Sequence, residues 1–236
     1  MIKLILAFVV AAIPVVIAIT LHEAAHGYAA LALGDDTPKQ AGRLSLNPLR
    51  HVDRVGTIIL PAILIATQLL TIGHVAFLFG WAKPVPIDPS HFPNPRRDMA
   101  LVASAGPLTN FALAWLGALL FHLTGYLPPE AASLAGDGLD VFIVVNLALG
   151  LFNLIPVPPL DGGRIVVGIL PLPLAIFWAR FERFGLLLLV TLVFILPMLA
   201  ASTGHRFDPV GDAAGRVIPN AYELVLRLAF DAPRPD

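Results

Sequence analysis

Five long apolar runs constrain the fold of this chain more than any other feature of its sequence. A membrane-spanning helix needs about 20 predominantly apolar residues, with a range of roughly 17–25. The chain is 57% hydrophobic and only 13% charged, whereas soluble domains hold about 25% charged residues. We therefore predict an all-α membrane protein, a polytopic helical bundle of about five or six membrane segments. The runs cover residues 4–33, 56–80, 99–123, 139–156 and 185–201.

The composition also excludes some partners and some covalent chemistry. The net charge of −1 gives no reason to expect a nucleic-acid partner, and the chain has no cysteine for disulfides or thiolate metal ligands. The first run is not predicted to be a signal peptide, because its helical pattern continues to residue 33 without a cleavage site. We expect one membrane domain over residues 1–203 and a polar tail over 204–236, in which residues 217–230 form an interfacial helix.

The distribution of basic residues predicts the orientation in the membrane. Arginine and lysine are concentrated in residues 34–55, just before residue 99 and after residue 156, whereas 124–140 contain three acids and no base. Because basic connections remain in the cytoplasm, these three regions are predicted to be cytoplasmic. The bases concerned are Lys39, Arg43, Arg50, Arg54, Arg96, Arg97, Arg164, Arg180 and Arg183.

This orientation requires residues 56–97 to begin and end on the same side of the membrane. A helix over 56–72 is long enough to cross once, and Gly73 and His74 interrupt it. The following stretch AFLFGWAKPVP, residues 76–86, is rich in strand-forming residues and ends in prolines. We predict a re-entrant extended hairpin, which is tolerated at membrane depth only if it is buried in protein or lines a wet cavity.

The return leg of this hairpin is a candidate surface for substrate binding. An extended segment with a free edge lets an unwound substrate add to it through backbone hydrogen bonds. Trp81 and Ala82 are the residues that we expect to line this path. The alternative is that the segment only fills space in the fold.

The stretch TLHEAAHGYAA, residues 20–30, places three ionisable side chains on one turn of the first apolar helix. His22 and His26 are four residues apart and project from nearly the same helix face. Two neutral imidazoles on one face can bind Zn²⁺, and Glu23 is close enough to act on water as a general base. Such residues are costly at membrane depth, so we predict a metal site.

Zinc in a catalytic site needs a third protein ligand, and Asp161 is the best candidate. It lies in NLIPVPPLDGGR, residues 153–164, where three prolines end the fourth run and two glycines allow close backbone approach. The predicted orientation puts Asp161 on the same side of the membrane as His22 and His26. The alternative is that Asp161 caps the short helix that follows it.

Two asparagines in the fourth run are candidates to stabilise the oxyanion of an acyl-transfer reaction. Asn146 and Asn153 are seven residues apart on one helix face, and Asn146 is the preferred donor, although an interhelical hydrogen bond explains it equally well. Asn110 is predicted to pack between helices. The histidines of the polar connections, His51, His91 and His205, are predicted to be solvated.

Four separate motifs, HEAAH, GWAKPVP, SAGPLTNF and LFNLIPVPPLDGGR, together resemble those of the site-2 protease family of intramembrane zinc metalloproteases. The resemblance covers residues 12–185, roughly. It implies that His22, His26 and Asp161 bind zinc and that Glu23 activates water. The chain departs from larger members in two ways: it shows no extra helix before the one that carries HEAAH, and residues 124–140 are too few for a PDZ domain. It resembles the compact bacterial and archaeal branch of the family.

We therefore expect a zinc-dependent intramembrane endopeptidase, with one Zn²⁺ per chain, that hydrolyses transmembrane segments of single-span membrane proteins. The expected location is the cell membrane, with the active site toward the cytoplasm and lipid as the surrounding partner. One alternative is a metal-binding transporter, which predicts polar residues spread across the bilayer or inverted repeats. Another is a non-catalytic homologue that binds membrane proteins, although the chain retains Glu23.

Overall fold

A computed structural model describes residues 2–71, 73, 74 and 80–230, with side chains from residue 12 onward except that of residue 186. The described residues form helices and connections and no β-strand, so the predicted all-α fold is confirmed. Two π-helical turns, Arg54–Ile59 and Thr191–Ile195, precede α3 and join α8 to α9. The helices are α1 (Ile2–Ala32), α2 (Thr37–Gln40), α3 (Leu60–Thr71), α4 (Pro95–Thr124), α5 (Pro129–Asn153), α6 (Asp161–Ile169), α7 (Leu172–Ala179), α8 (Glu182–Val190), α9 (Leu196–Ser202) and α10 (Pro209–Phe230).

Five helical stretches of the described chain are long and apolar enough to cross a membrane, and they coincide with the five predicted runs. The largest difference in bounds is in the fourth, because α5 begins ten residues before the predicted run. Pro129 at the start and Glu130 in the first turn favour a helix N-terminus there. The stretches are Ala12–Ala32, Arg54–Thr71, Pro95–Thr124, Pro129–Asn153 and Glu182–Ser202.

Small residues allow α4 to pack closely against α1 and α5 at the centre of the bundle. A Cβ atom on Gly117 would lie 2.9 Å from Ile143, and one on Gly150 would lie 2.9 Å from the ring of Phe111. Close packing of this kind is the usual basis of helix association in membranes. Helix α1 meets the middle of α4 at Gly106, where a Cβ atom would lie 2.5 Å from the rings of both His22 and His26.

The chain unwinds after Asn153 as predicted, and α6 begins at Asp161. The loop between them folds back tightly, since a Cβ atom on Gly162 would lie 2.4 Å from the carbonyl oxygens of Leu154 and Ile155. Helix α6 then runs along α4, where Gly168 meets Ala100. This loop directs the side chain of Asp161 toward α1.

Residues 80–88, which we call the strap, lie extended between α1 and the start of α3. The N–H of Trp81 donates to the carbonyl of Gly56 at 3.2 Å, so the strap begins beside the first turn of the Arg54–Thr71 stretch. The N–H of Lys83 donates to the carbonyl of His51 at 2.9 Å. Residues 72 and 75–79 lie outside the described part of the chain, and the re-entrant hairpin therefore stays a prediction.

Helix α10 packs against the sides of α4 and α5. Val225 and Ala229 are buried in a cluster with Ala114, Ala118, Ile143 and Leu147. The hydroxyl of Tyr222 donates to Asp140, and Nε2 of His122 donates to the carbonyl of Ala229 at 3.2 Å. The sequence predicts an interfacial helix over residues 217–230, and this location stays a prediction, as does the division at residue 203.

One histidine differs from the solvated state predicted for it. His51 is 3% exposed, and its Nε2 lies 2.8 Å from the carbonyl of Ser45. The reason is tertiary, because the strap covers this residue and binds its carbonyl through Lys83. The polar connection around His51 thus packs against the strap.

Candidate metal centre

Three side chains meet in a compact triangle between α1 and α6. Nε2 of His22 lies 3.1 Å from Nε2 of His26, and Oδ2 of Asp161 lies 3.2 and 3.3 Å from those two atoms. All three residues are buried. The i, i+4 spacing of the histidines aligns their rings on one face, and the tight loop before α6 brings the carboxylate from the other end of the sequence.

The three facing atoms all offer lone pairs. Nδ1 of His26 lies 2.8 Å from the carbonyl of Val102, which can only accept, so Nδ1 carries the proton. In the neutral imidazole Nε2 is then an acceptor. The same holds for His22, whose Nδ1 donates to Oδ1 of Asn110 at 2.6 Å. Two imidazole lone pairs and a carboxylate oxygen at this distance repel one another unless a cation lies between them.

The proton on His22 is fixed by a chain of amides that runs into α5. Nδ2 of Asn110 donates to Oδ1 of Asn146 at 2.9 Å, and Nδ2 of Asn146 donates to the carbonyl of Phe142 at 2.8 Å. Because that carbonyl can only accept, the orientation of each amide follows in turn. Asn110 and Asn146 are fully buried. Together they orient His22, as the outer partners of metal-binding histidines usually do.

The triangle fits zinc in donor type and in size. Ligand atoms on a tetrahedral zinc with bonds of about 2.0–2.1 Å lie about 3.3 Å apart, and the three measured separations are 3.1–3.3 Å. Oδ2 of Asp161 is buried and accepts no hydrogen bond from the described residues. A Cβ atom on Gly106 would lie 2.5 Å from Nε2 of His26, so α4 leaves this space open by having glycine there.

Glu23 lies beside the triangle and faces a cavity of about 310 Å³ that the three other residues also line. Its Oε2 accepts a hydrogen bond from the backbone N–H of Val85 in the strap at 3.2 Å. Arg43 lies behind the strap, where its Nη2 donates to the carbonyl of Lys83. Burial lowers the pKa of Arg43, and the nearby carboxylate of Glu23 partly offsets this effect. The carboxylate of Glu23 and the three side chains of the triangle thus line the same cavity.

The structure brings three of the four other predicted site residues to this cavity and does not bring the fourth. Asn153, Trp81 and Ala82 line it. Asn146 is fully buried, and both ends of its amide are engaged behind His22. The N-cap of α6 is Leu160, and Asp161 is the first residue within the helix, which weakens the alternative that Asp161 serves as the helix cap.

Three contributors to the site were missed by the sequence analysis. The sequence analysis assigned Asn110 to helix packing. Its position as a polar residue in an apolar helix was the signal that could have pointed to its contact with His22. Gly106 lies in the SAGPLTNF motif, but a glycine in a membrane helix is too common to single out. The carbonyl of Val102 has no signal in the sequence, because the contact depends on how α4 docks on α1.

A second group of titratable residues, Asp35, Asp36 and His91, lies at the far end of the strap, where Asp35 binds the backbone of Asp88. Asp35 is fully buried and accepts hydrogen bonds from the backbone of Thr37 and Asp88 and from Nδ1 of His91. Burial raises the pKa of Asp35, but these bonds outweigh it and lower the pKa to about 2. The hydrogen bond to Asp35 raises the pKa of His91. We assign this group to holding the strap against the end of α1.

These features define a polytopic membrane protein with a metallopeptidase-type site on its first helix, and the comparisons with known proteins agree. The model of peptidase family M50 matches residues 132–196. YwhC of Bacillus subtilis, a protein named as a zinc metalloprotease, is 39% identical over 190 residues, which are 79% of this chain and 80% of that protein. The chain belongs to peptidase family M50, the site-2 proteases.

Two mycobacterial proteins, also named as zinc metalloproteases, match over shorter stretches. Rip2 of Mycolicibacterium smegmatis is 30% identical over 142 residues, which are 60% of this chain and 50% of that protein. Rip3 of Mycobacterium tuberculosis is 48% identical over 66 residues, which are 28% of this chain and 16% of that protein. No solved structure matches this chain significantly.

Proposed function

We propose that this chain is a zinc-dependent endopeptidase that cleaves transmembrane segments of single-span membrane proteins on the cytoplasmic side of the bilayer. His22, His26 and Asp161 hold one zinc ion. The observation that supports this most directly is the triangle of three lone-pair donors, whose separations of 3.1–3.3 Å match a tetrahedral metal.

Glu23 is the general base in this proposal. Bound zinc supplies a Lewis acid that polarises the scissile carbonyl and acidifies water. Glu23 takes the proton of the attacking water and returns it to the leaving amine, a role that requires a carboxylate facing the cavity. The hydrogen bond from the backbone N–H of Val85 orients that carboxylate.

Asn153 replaces Asn146 as our candidate to stabilise the oxyanion. Its Nδ2 donates one hydrogen to the carbonyl of Leu149 at 3.0 Å. An amide nitrogen has two hydrogens, so the second can donate toward the cavity that Asn153 lines with Glu23. Donors preorganised in this way act on charge that develops during the reaction.

The strap provides the surface on which a substrate is held extended. Trp81 and Lys83 direct their N–H groups to Gly56 and His51, and Val85 directs its N–H to Glu23. Because successive residues of an extended chain point to opposite edges, the N–H and C=O of Ala82 face away from Gly56 and His51. Ala82 lines the cavity beside His22 and Glu23. An unwound substrate can therefore pair with Ala82 within reach of the base.

The position of the site supports a membrane-embedded substrate. His22 and His26 lie within the spanning stretch Ala12–Ala32. A second cavity of about 370 Å³, which shares His22 and Glu23 with the first, contacts Ile19 and Leu189, two apolar residues of different spanning helices. A peptide that reaches these residues must enter from the apolar layer or be drawn into it. A single-span segment with a cuttable bond near its cytoplasmic end satisfies this condition.

Three variants of the purified protein test the proposal through zinc content and cleavage of a panel of single-span segments. His26→Ala and Asp161→Ala are expected to lose both zinc and cleavage, because two protein ligands hold zinc weakly. Glu23→Gln is expected to retain zinc and to lose cleavage by about 10²–10⁴-fold. Asp137→Ala, a change in the predicted outer connection, is the control. Full zinc occupancy in Asp161→Ala, or normal cleavage by Glu23→Gln, would refute the corresponding assignment.

A further inference from the structure

Two leucines of the polar connection between α1 and the Arg54–Thr71 stretch are exposed. Leu46 is 61% and Leu49 is 76% exposed, and both lie outside the stretches that are apolar enough to span a membrane. Apolar side chains scattered singly are ordinary on a protein surface. The surroundings of this pair therefore decide what the two leucines contact.

The connection folds back along α1 instead of extending away from it. Leu44 packs on Gly27, where a Cβ atom would lie 2.8 Å from Cδ2 of Leu44, and Gly27 belongs to the spanning stretch of α1. Further along the connection, His51 lines a cavity of about 340 Å³ together with Ile19 of the same stretch. Arg54 then begins the next spanning stretch. The connection is thus held against two spanning stretches, at the edge of the apolar layer.

Three exposed bases lie in or beside the same connection. Arg50 and Arg54 belong to it, and the N–H of Lys83 donates to the carbonyl of His51 at 2.9 Å, which brings the strap's base beside them. None of the three forms a salt bridge with the described residues. The one acid between the two arginines, Asp53, accepts two backbone N–H groups of the π-helical turn through its Oδ1. Three positive charges therefore face one negative charge.

We propose that Leu46, Leu49, Arg50, Arg54 and Lys83, which we call the lipid patch, bind an anionic phospholipid. Leucines at the edge of the apolar layer contact the acyl chains, and bases there bind the phosphate group. The leucines favour a lipid over an inorganic anion, and the excess of positive charge favours an anionic lipid over a zwitterionic one. The proposal does not depend on the proposed function, because none of the five residues lines the cavities beside Glu23.

Binding of individual lipids to the purified protein in detergent, measured by native mass spectrometry, tests the proposal. We expect phosphatidylglycerol to bind at least about fivefold more tightly than phosphatidylcholine with the same acyl chains. Replacing Arg50, Arg54 and Lys83 together by Gln is expected to weaken the binding of phosphatidylglycerol by at least about tenfold, because each base near an anionic surface contributes about fivefold. Equal binding of the two lipids by the unchanged protein would overturn the proposal.

The matched control removes three other exposed bases from the side of the membrane that is predicted to be cytoplasmic. Arg96→Gln, Arg97→Gln and Arg180→Gln, combined in one chain, lower the net charge by the same amount. We expect this variant to bind phosphatidylglycerol within about twofold of the unchanged protein. An equal loss in the two triple variants would show that lipid follows the total charge and not the lipid patch, and would refute the proposal.

The leucines and the source of the phosphate are tested with all bases in place. Leu46→Ser with Leu49→Ser is expected to weaken the binding of phosphatidylglycerol by at least about fivefold, because the apolar contact is lost. Excess inorganic phosphate is expected to leave the binding of phosphatidylglycerol unchanged. Unchanged binding by the serine variant, or displacement of the lipid by inorganic phosphate, would contradict the proposal. Thermal unfolding, measured in parallel, verifies that each variant is folded.

Discussion

The backbone N–H of Val85 lies 3.2 Å from Oε2 of Glu23. The strap therefore contacts the proposed base with one residue and presents Ala82 to the cavity with another. Because both contacts belong to one short extended segment, a substrate that binds along the strap is aligned with the base without any separate adjustment. The backbone of the strap then determines both the alignment of the substrate and the orientation of the base.

Ala82→Pro tests the role of the strap edge. Proline removes one backbone N–H, and the residue before it is already extended, so the strap can keep its shape. We expect slower cleavage of strongly helical segments, with zinc content and thermal stability unchanged. Ala82→Gly keeps the N–H and is the matched control. Unchanged cleavage of a helical segment by a folded, zinc-loaded Ala82→Pro protein would show that the strap has only a structural role.

Asn110→Leu tests the amide chain behind His22. The substitution keeps the side-chain size and removes the acceptor for Nδ1 of His22. Loss of an outer partner of a metal-binding histidine typically lowers metal affinity by about 10–100-fold, and we expect a drop in zinc affinity of that size in competition with a chelator. A zinc affinity equal to that of the unchanged protein would show that His22 is oriented by packing alone.

Asn153→Ala separates oxyanion stabilisation from metal binding. Removal of one preorganised donor costs about 10²–10³-fold in turnover, and we expect a loss of this size with normal zinc content and little change in KM. Asn146→Ala is the informative comparison, because Asn146 lies behind His22 and should affect zinc affinity first. If Asn153→Ala cleaves at the unchanged rate, the oxyanion donor lies elsewhere in the cavity.

Single cysteines at Thr37, Asn94 and Ser133 test the orientation. Labels at Thr37 and Asn94 are expected to report the cytoplasm, and a label at Ser133 the outer side, when intact cells are treated with a membrane-impermeant reagent. The expectation follows from the basic residues of the connections. Opposite sides for Thr37 and Asn94 would exclude the re-entrant hairpin, since the chain would then cross the membrane once between them.

The pair of His91 and Asp35 predicts a dependence of stability on pH. The pKa of His91 is raised above 6.5, so its contribution is complete below pH 6.5 and is lost as the pH rises through the raised value. The pKa of Asp35 is lowered from 3.8 to about 2, so its contribution is complete above pH 3.8 and is lost toward pH 2.

The measurement is the unfolding temperature in detergent at about pH 5.5 and about pH 8.5. The unchanged protein is expected to lose more of its Tm over this interval than His91→Gln, which cannot titrate. A change in Tm that is equal in the two proteins would mean that the pair contributes nothing to stability.

The sequence was sufficient to predict the spanning helices and the meeting of His22, His26 and Asp161, for different physical reasons. Helices that cross lipid must be apolar for about 20 residues, and this pattern is local. His22, Glu23 and His26 are likewise fixed by spacing on one helix. Asp161 could be predicted because prolines and glycines mark the loop that turns it inward.

The features that could not be predicted depend on contacts between distant segments. The burial of His51 follows from the strap that covers it, and no nearby residue indicates this. The packing of Val225 and Ala229 of α10 against α4 and α5 is likewise a contact between distant segments that the local sequence does not indicate.

The origin of the three proposed ligand atoms from α1 and α6 has a consequence for the newborn chain. His22 and His26 leave the ribosome 139 and 135 residues before Asp161, which corresponds to roughly 7–28 s at about 5–20 residues per second. During that interval the first helix can be in the bilayer with two imidazoles and a base but without its third ligand. A protease assembled in this order is inert while its neighbours at the insertion machinery are themselves unfolded and most easily cut.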